Sequence, residues 1–105
     1  MSKYRSIPQV VDGIRFASKA EARRYGELKL LERAGKIEAL QLQPKFSLMV
    51  SNTKLGEYRA DFAYFCKTQL RMVYEDVKGF RNPLFIWKKK HTEAQHLVTI
   101  TEVRA

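Results

Sequence analysis

The chain has 105 residues, 45% of them hydrophobic, and its 20 Lys and Arg against 11 Asp and Glu give a formal net charge of +9. That length suits one domain, the apolar fraction excludes a disordered chain, and the charge favours a polyanionic partner, nucleic acid ahead of an anionic membrane surface. Cys66 is the only cysteine, which excludes an internal disulfide, and one Cys with two His argues against a structural zinc site.

Residues 1–10 read as a basic, polar arm carrying Lys3 and Arg5. They lack the apolar segment of a secretory signal, and no apolar run of about 18 residues follows, so no membrane span and a cytosolic location are expected. In QVVDGIRF, Asp12-Gly13 between short apolar runs signals a hairpin turn. The stretch SKAEARRYGELKLLERAG (18–35) predicts a helix. Ser18 is a good N-cap, Glu21 completes a capping box, Gly35 suits the position after the helix end, and Tyr25, Leu28 and Leu31 form an inward stripe. KIEALQLQPKFSLMV (36–50) alternates in two pieces around Gln43-Pro44, with 45–50 the better strand. SNTKLGE (51–57) reads as a turn, YRADFAYF (58–65) as a strand in which Cys66 follows as a small core hydrophobe, and LRMVYEDVKG (70–79) as the next strand. Asn82 and Pro83 open a second helix as N-cap and first helical residue, and HLVTITEV (96–103) is the last strand. The order is helix, three strands, helix, strand: an α/β fold, a single domain with a small central mixed sheet flanked by helices.

Strand alternation sorts the charges of VYEDVKGF. Met72, Tyr74, Asp76 and Lys78 share one face, and Val73, Glu75 and Val77 share the other. A short turn joins 58–65 to 70–78, so these strands should pair antiparallel. With positions summing to about 135 opposed, Asp76 falls near residue 59, one diagonal step from Asp61. Two carboxylates held close repel unless a cation lies between them, and Mg²⁺ takes one or two carboxylates plus waters and phosphate oxygens. Lys78 would then stabilise charge developing on phosphoryl oxygens, or orient the attacking water. The same residues also suit an ordinary solvated strand face, and the Asp-x-Lys triplet alone does not choose between the two. Glu21 likewise fits a capping box or an acid reaching over the sheet toward a metal.

The succession Glu21, Asp61 and Asp76-Val77-Lys78, on helix, strand and strand, resembles the PD-(D/E)XK nuclease superfamily. DGIRFASKAEARRYGELKLLERAGKI, LQPKFSL, YRADFAYF and YEDVKGF, with LFIWKKK more loosely, are similar to small phage-borne nucleases related to Holliday junction resolvases. The resemblance implies a restriction-endonuclease-like core and a Mg²⁺- or Mn²⁺-dependent endonuclease, with branched DNA as substrate and a homodimer to make paired cuts. If the chain is phage-encoded, it implies the host cytoplasm as location. It also implies Asp61, Asp76 and the Val77 carbonyl as metal ligands, Glu21 as the acid completing the sphere, Lys78 as the catalytic lysine and Lys88 as a phosphate-facing residue. Ala60 stands where the motif's proline would, and Glu75 could replace Asp76 only if a bulge shifted the register.

Lys3, Arg5, Arg24, Arg81, Lys88, Lys89 and Lys90 are the expected DNA contacts. Trp87 and Tyr64 could stack on unpaired bases, but core packing is the role expected of both, and His91 and His96 are expected at the surface. The rival from another class is a non-catalytic nucleic-acid-binding module of the same fold.

Overall fold

The Asp12-Gly13 turn sets the first element. Both residues take positive φ, 54° and 75°, as a two-residue turn of matching twist requires, and Gln9–Val11 (β1) pairs with Ile14–Phe16 (β2). This is a computed structural model describing residues 7–105, so Lys3 and Arg5 of the predicted arm lie outside the described residues.

Helix α1 (Lys19–Arg33) begins as the sequence indicates: the Ser18 side chain accepts from the Glu21 amide at 3.2 Å. It ends on Gly35 at φ 74°, with the Gly35 amide donating to Glu32 O and the Lys36 amide to Leu31 O, the paired bonds of a glycine-terminated helix. Tyr25 and Leu28 are buried, but Leu31 is 36% exposed. The β1–β2 hairpin covers Tyr25, through the Phe16 ring at 4.9 Å and a hydrogen bond from Tyr25 to Asp12, and the cover gives out beyond Leu28.

Residues 37–66 form one long ribbon with a kink. Ile37–Leu42 (β3) pairs antiparallel with Phe62–Cys66 (β6), and farther out Lys45–Val50 (β4) pairs with Thr53–Arg59 (β5). Pro44 has no amide to offer a ladder and Gln43 takes φ 53°, so one arm bends there. The partner arm bends at the same level, where Ala60 N donates to Pro44 O and Gln43 N to Asp61 O. Three expectations are corrected: 53–57 is strand rather than turn, 58–65 is not continuous, because the kink divides it between β5 and β6, and 45–50 pairs with β5 beyond the kink, so that 37–42 supplies the first strand of the central sheet.

Arg71–Lys78 (β7) pairs antiparallel with β6, and Ile100–Arg104 (β8) joins β7 in parallel after helix α2 (Pro83–His96). The mixed sheet runs β3-β6-β7-β8. Helix α2 opens on Asn82, which accepts from the Phe85 amide at 2.8 Å. It ends on Leu97 at φ 56°, so the last strand starts at Ile100, later than the sequence pattern indicates.

Each face of the sheet has its own core. On one, α1 and β1–β2 bury Phe16, Tyr25, Leu28, Phe62, Tyr64 and Val73. On the other, the outer half of the ribbon and α2 bury Leu48, Tyr58, Ala60, Phe85 and Ile100. Full burial of one such side chain contributes roughly 2 kcal/mol. Cys66 packs in the first cluster, as expected. No helix among the described residues is long and apolar enough to cross a membrane.

Candidate functional site: an acid cluster at the sheet end

The kink positions Asp61. Its amide donates to Glu75 O and its carbonyl accepts from Gln43, so its backbone is held from both neighbouring strands. Phe62 lies opposite Glu75, which makes paired positions sum to 137 and brings Asp61 level with Asp76, closer than the diagonal relation the hairpin spacing indicates. The Asp61 carboxylate accepts from the Val77 amide at 2.6 Å. On a strand the amide and carbonyl of one residue point to the same side, so the Val77 carbonyl also points toward Asp61, beyond the end of β6.

Face alternation separates Glu75 from Asp76, as the sequence indicates. Glu75 is 2% exposed and faces α1, where Arg24 grips both its oxygens at 2.8 and 2.7 Å and the Tyr64 hydroxyl donates to it. The hydrogen bond to Glu75 raises the Arg24 pKa further. No register shift interrupts the β6–β7 ladder, so Glu75 stays out of the Asp76 cluster. Asp76, also 2% exposed, faces α2 and accepts from the Tyr58 hydroxyl. Lys78 holds its ammonium 3.3 Å from Asp76 Oδ1 and 4.4 Å from the centre of the Phe85 ring. Burial and the hydrogen bond to Asp76 raise the Tyr58 pKa, so that hydroxyl remains a donor.

Among the described residues, two clefts open on the acids Asp76, Asp61 and Glu21. One, of about 220 Å³, is lined by Tyr58, Arg59, Asp76, Lys78, Phe85 and Lys88 among others. The second, of about 150 Å³, is lined by Glu21, Asp61, Arg15 and Phe16 among others. The expected quartet is thus divided two and two between the clefts, yet it is electrostatically one group. Burial pushes the Asp61 carboxyl up to about 7, opposed by the Val77 amide and reinforced by Asp76 and Glu21. Glu21 is also raised, by burial first and by Asp76 after it. Its amide donates to the Ser18 side chain that caps α1, and its own side chain lines the second cleft.

The oxygen donors Asp61, Asp76 and the Val77 carbonyl suit a hard divalent cation. Among the described residues, no three His, Cys, Asp or Glu side chains are already gathered as a coordination group. Asp61 and Asp76 are instead engaged by the Val77 amide and the Tyr58 hydroxyl.

The basic residues divide in a way that composition does not show. Arg24 is committed to Glu75. Arg81 and Lys89 converge on Glu102, at 2.6 and 2.9 Å, and hold its carboxyl low against the upward push of burial. Lys88 lines the larger cleft, and Lys90 is exposed. Arg59 and Tyr58 were missed by sequence reasoning, although the Gln43-Pro44 kink, which the partner strand must share, could have located them. One further expectation is corrected. Trp87 is 49% exposed rather than in the core, whereas Tyr64 is buried as expected. His91 and His96 are half-buried and bond Met49 O and Ser47 O at 2.9 and 2.8 Å; with Gln95 accepting from the Met49 amide, they tie α2 to the outer edge of β4.

An α/β protein whose sheet end carries three acids and a lysine, divided between two clefts, is the class this geometry defines. Residues 1–104 match the family described as "Protein of unknown function (DUF1064)", and the chain belongs to that family. No curated protein and no solved structure matches it.

Proposed function

We propose that the chain is a metal-dependent endonuclease that hydrolyses DNA phosphodiester bonds. The observation that carries this reading is the Asp61, Asp76, Glu21 and Lys78 cluster, three acids sharing one electrostatic environment with a single ammonium directly on Asp76. The element order around the sheet also supports it: helix, three antiparallel-paired strands, helix and parallel strand, with β4–β5 as an outgrowth between the first and second strands. This is the order expected of the restriction-endonuclease-like core.

Asp61, Asp76 and the Val77 carbonyl would hold Mg²⁺ or Mn²⁺, with Glu21 completing the site. The ion would supply countercharge, polarisation of the phosphate and acidification of a water. Tyr58 fixes the Asp76 carboxylate by donating to it. Lys78, held over Phe85, places positive charge beside the phosphoryl oxygens that gain charge as water attacks phosphorus and the P–O bond to the leaving nucleotide breaks. Arg59 and Lys88 on the cleft walls would bind the flanking phosphates. Branched DNA as substrate and a homodimer belong to the same reading.

The test is cleavage of linear, nicked, flapped and four-way DNA with Mg²⁺, Mn²⁺ or chelator. Asp76→Asn and Lys78→Ala should each lose at least about 100-fold in rate while still binding DNA. Cutting by Asp76→Asn at the wild-type rate would falsify the assignment. Salt-sensitive binding with no cutting under any metal would favour a non-catalytic binding module.

A further inference from the structure

We infer that Trp87 is a stacking platform for an unpaired nucleobase of a strand whose phosphates occupy the larger cleft. This rests on the reading of that cleft as a nucleic-acid site and names the kind of DNA it takes: DNA with an unpaired nucleotide beside the phosphate to be cut.

Four observations converge on Trp87. An indole this large is normally removed from water, yet Trp87 is 49% exposed. The ring is also positioned: its centre lies 5.4 Å from that of His91 at an interplanar angle of 66°, and His91 is itself tied to Met49 O at 2.9 Å. A platform held in this way loses little rotamer freedom when a base settles on it. Trp87 also adjoins the cleft, since Leu84, one helical turn before it, and Lys88, the next residue, both line it. Leu84 is 61% exposed and extends the apolar surface toward the cleft.

The fourth observation is charge, and it selects the occupant. Lys88 on α2 and Arg59 on β5 stand on the cleft walls, with Lys78 between Asp76 and Phe85. Lys45 lies directly opposite Arg59 in the ladder, so two like charges are neighbours on the exposed face of the ribbon, an unfavourable pairing that an anion relieves. The adjacent Glu57 carboxylate is held by Lys54 at 2.7 Å. A small aromatic patch beside a cationic channel is the arrangement that binds single strands: cations follow the phosphates and the ring takes the face of a base.

Trp87 is the only tryptophan, so intrinsic fluorescence reports on it directly. The wild-type chain, in chelator to prevent cutting, is titrated with a 12-nucleotide single strand, the same strand with abasic positions, and the blunt duplex. The expected result is saturable quenching by the single strand, with little from the abasic strand or the duplex. Anisotropy of a labelled single strand should show Trp87→Leu binding about 5- to 150-fold more weakly and Trp87→Phe retaining most of the affinity, with duplex binding unchanged. Absence of quenching, or equal single-strand affinity for Trp87→Leu and wild type, overturns the inference. If the single strand quenches but no metal yields cutting, the hydrolase reading fails and the platform stands. If wild type and Trp87→Leu cut flapped DNA with equal KM and kcat, the platform fails and the hydrolase reading stands.

Discussion

Replacing Asp61 by Asn should stabilise the metal-free protein at alkaline pH, although it removes a charged group from the proposed site. Burial, with Asp76 and Glu21, moves the Asp61 carboxyl from 3.8 to about 7. The folded chain therefore holds a proton that the unfolded chain releases between those values. Stability from this group is fully present below 3.8 and is lost as pH rises through 7. A difference of about 3 pH units at about 1.4 kcal/mol each sets a ceiling of roughly 4 kcal/mol on that loss. Asn keeps the size and can still accept from the Val77 amide, but it does not ionise. The two proteins should have similar stability at pH 4, and the variant should be the more stable at pH 8, by up to roughly 15 °C in Tm for a domain of this size. Thermal and urea unfolding in chelator at both values measure the difference, and titration of other groups largely cancels in the comparison. Mg²⁺ at pH 8 should raise the Tm of wild type and do much less for the variant. Equal offsets between the two proteins at pH 4 and pH 8, or a variant less stable at pH 8, would show that Asp61 is not a strained carboxylate.

Other perturbations separate structural charges from functional ones. Arg24→Ala leaves the Glu75 carboxylate buried without its ionic partner and should cost about 3 kcal/mol in urea unfolding; wild-type stability together with weakened DNA binding would return Arg24 to the contact surface. Lys88→Ala should leave unfolding unchanged and lower the slope of log affinity against log salt by about 1, whereas an unchanged slope would remove Lys88 from the phosphate path. Tyr58→Phe strips Asp76 of a buried hydrogen bond and should cost about 1–3 kcal/mol, with slower cutting; unaltered stability would mean water or another donor replaces the hydroxyl.

Local signals in the chain determined the ends of the elements and the faces of β7. Ser18, Gly35, Asn82 and Asp12-Gly13 act over a few residues, and each appears in the backbone where its chemistry requires it. Period-two alternation was enough to assign Asp76 and Lys78 to one side and Glu75 to the other, because a strand without a bulge allows no other outcome. The kinked ribbon was not legible as a whole. The Gln43-Pro44 break was visible, but its effect falls on Ala60 and Asp61, which become its neighbours only when β5 returns alongside β4. The partners of the charges were equally hidden. Arg24 and Glu75 are 51 residues apart, and Glu102, which takes Arg81 and Lys89, arrives with the last strand. Composition counts cations but does not reveal which are already neutralised, since pairing is set by strand order and by packing of helices on the two faces. The exposure of Trp87 belongs to the same class: helical spacing places it on α2, and only the docking of α2 on β4 through His91, Gln95 and His96 leaves its ring facing water.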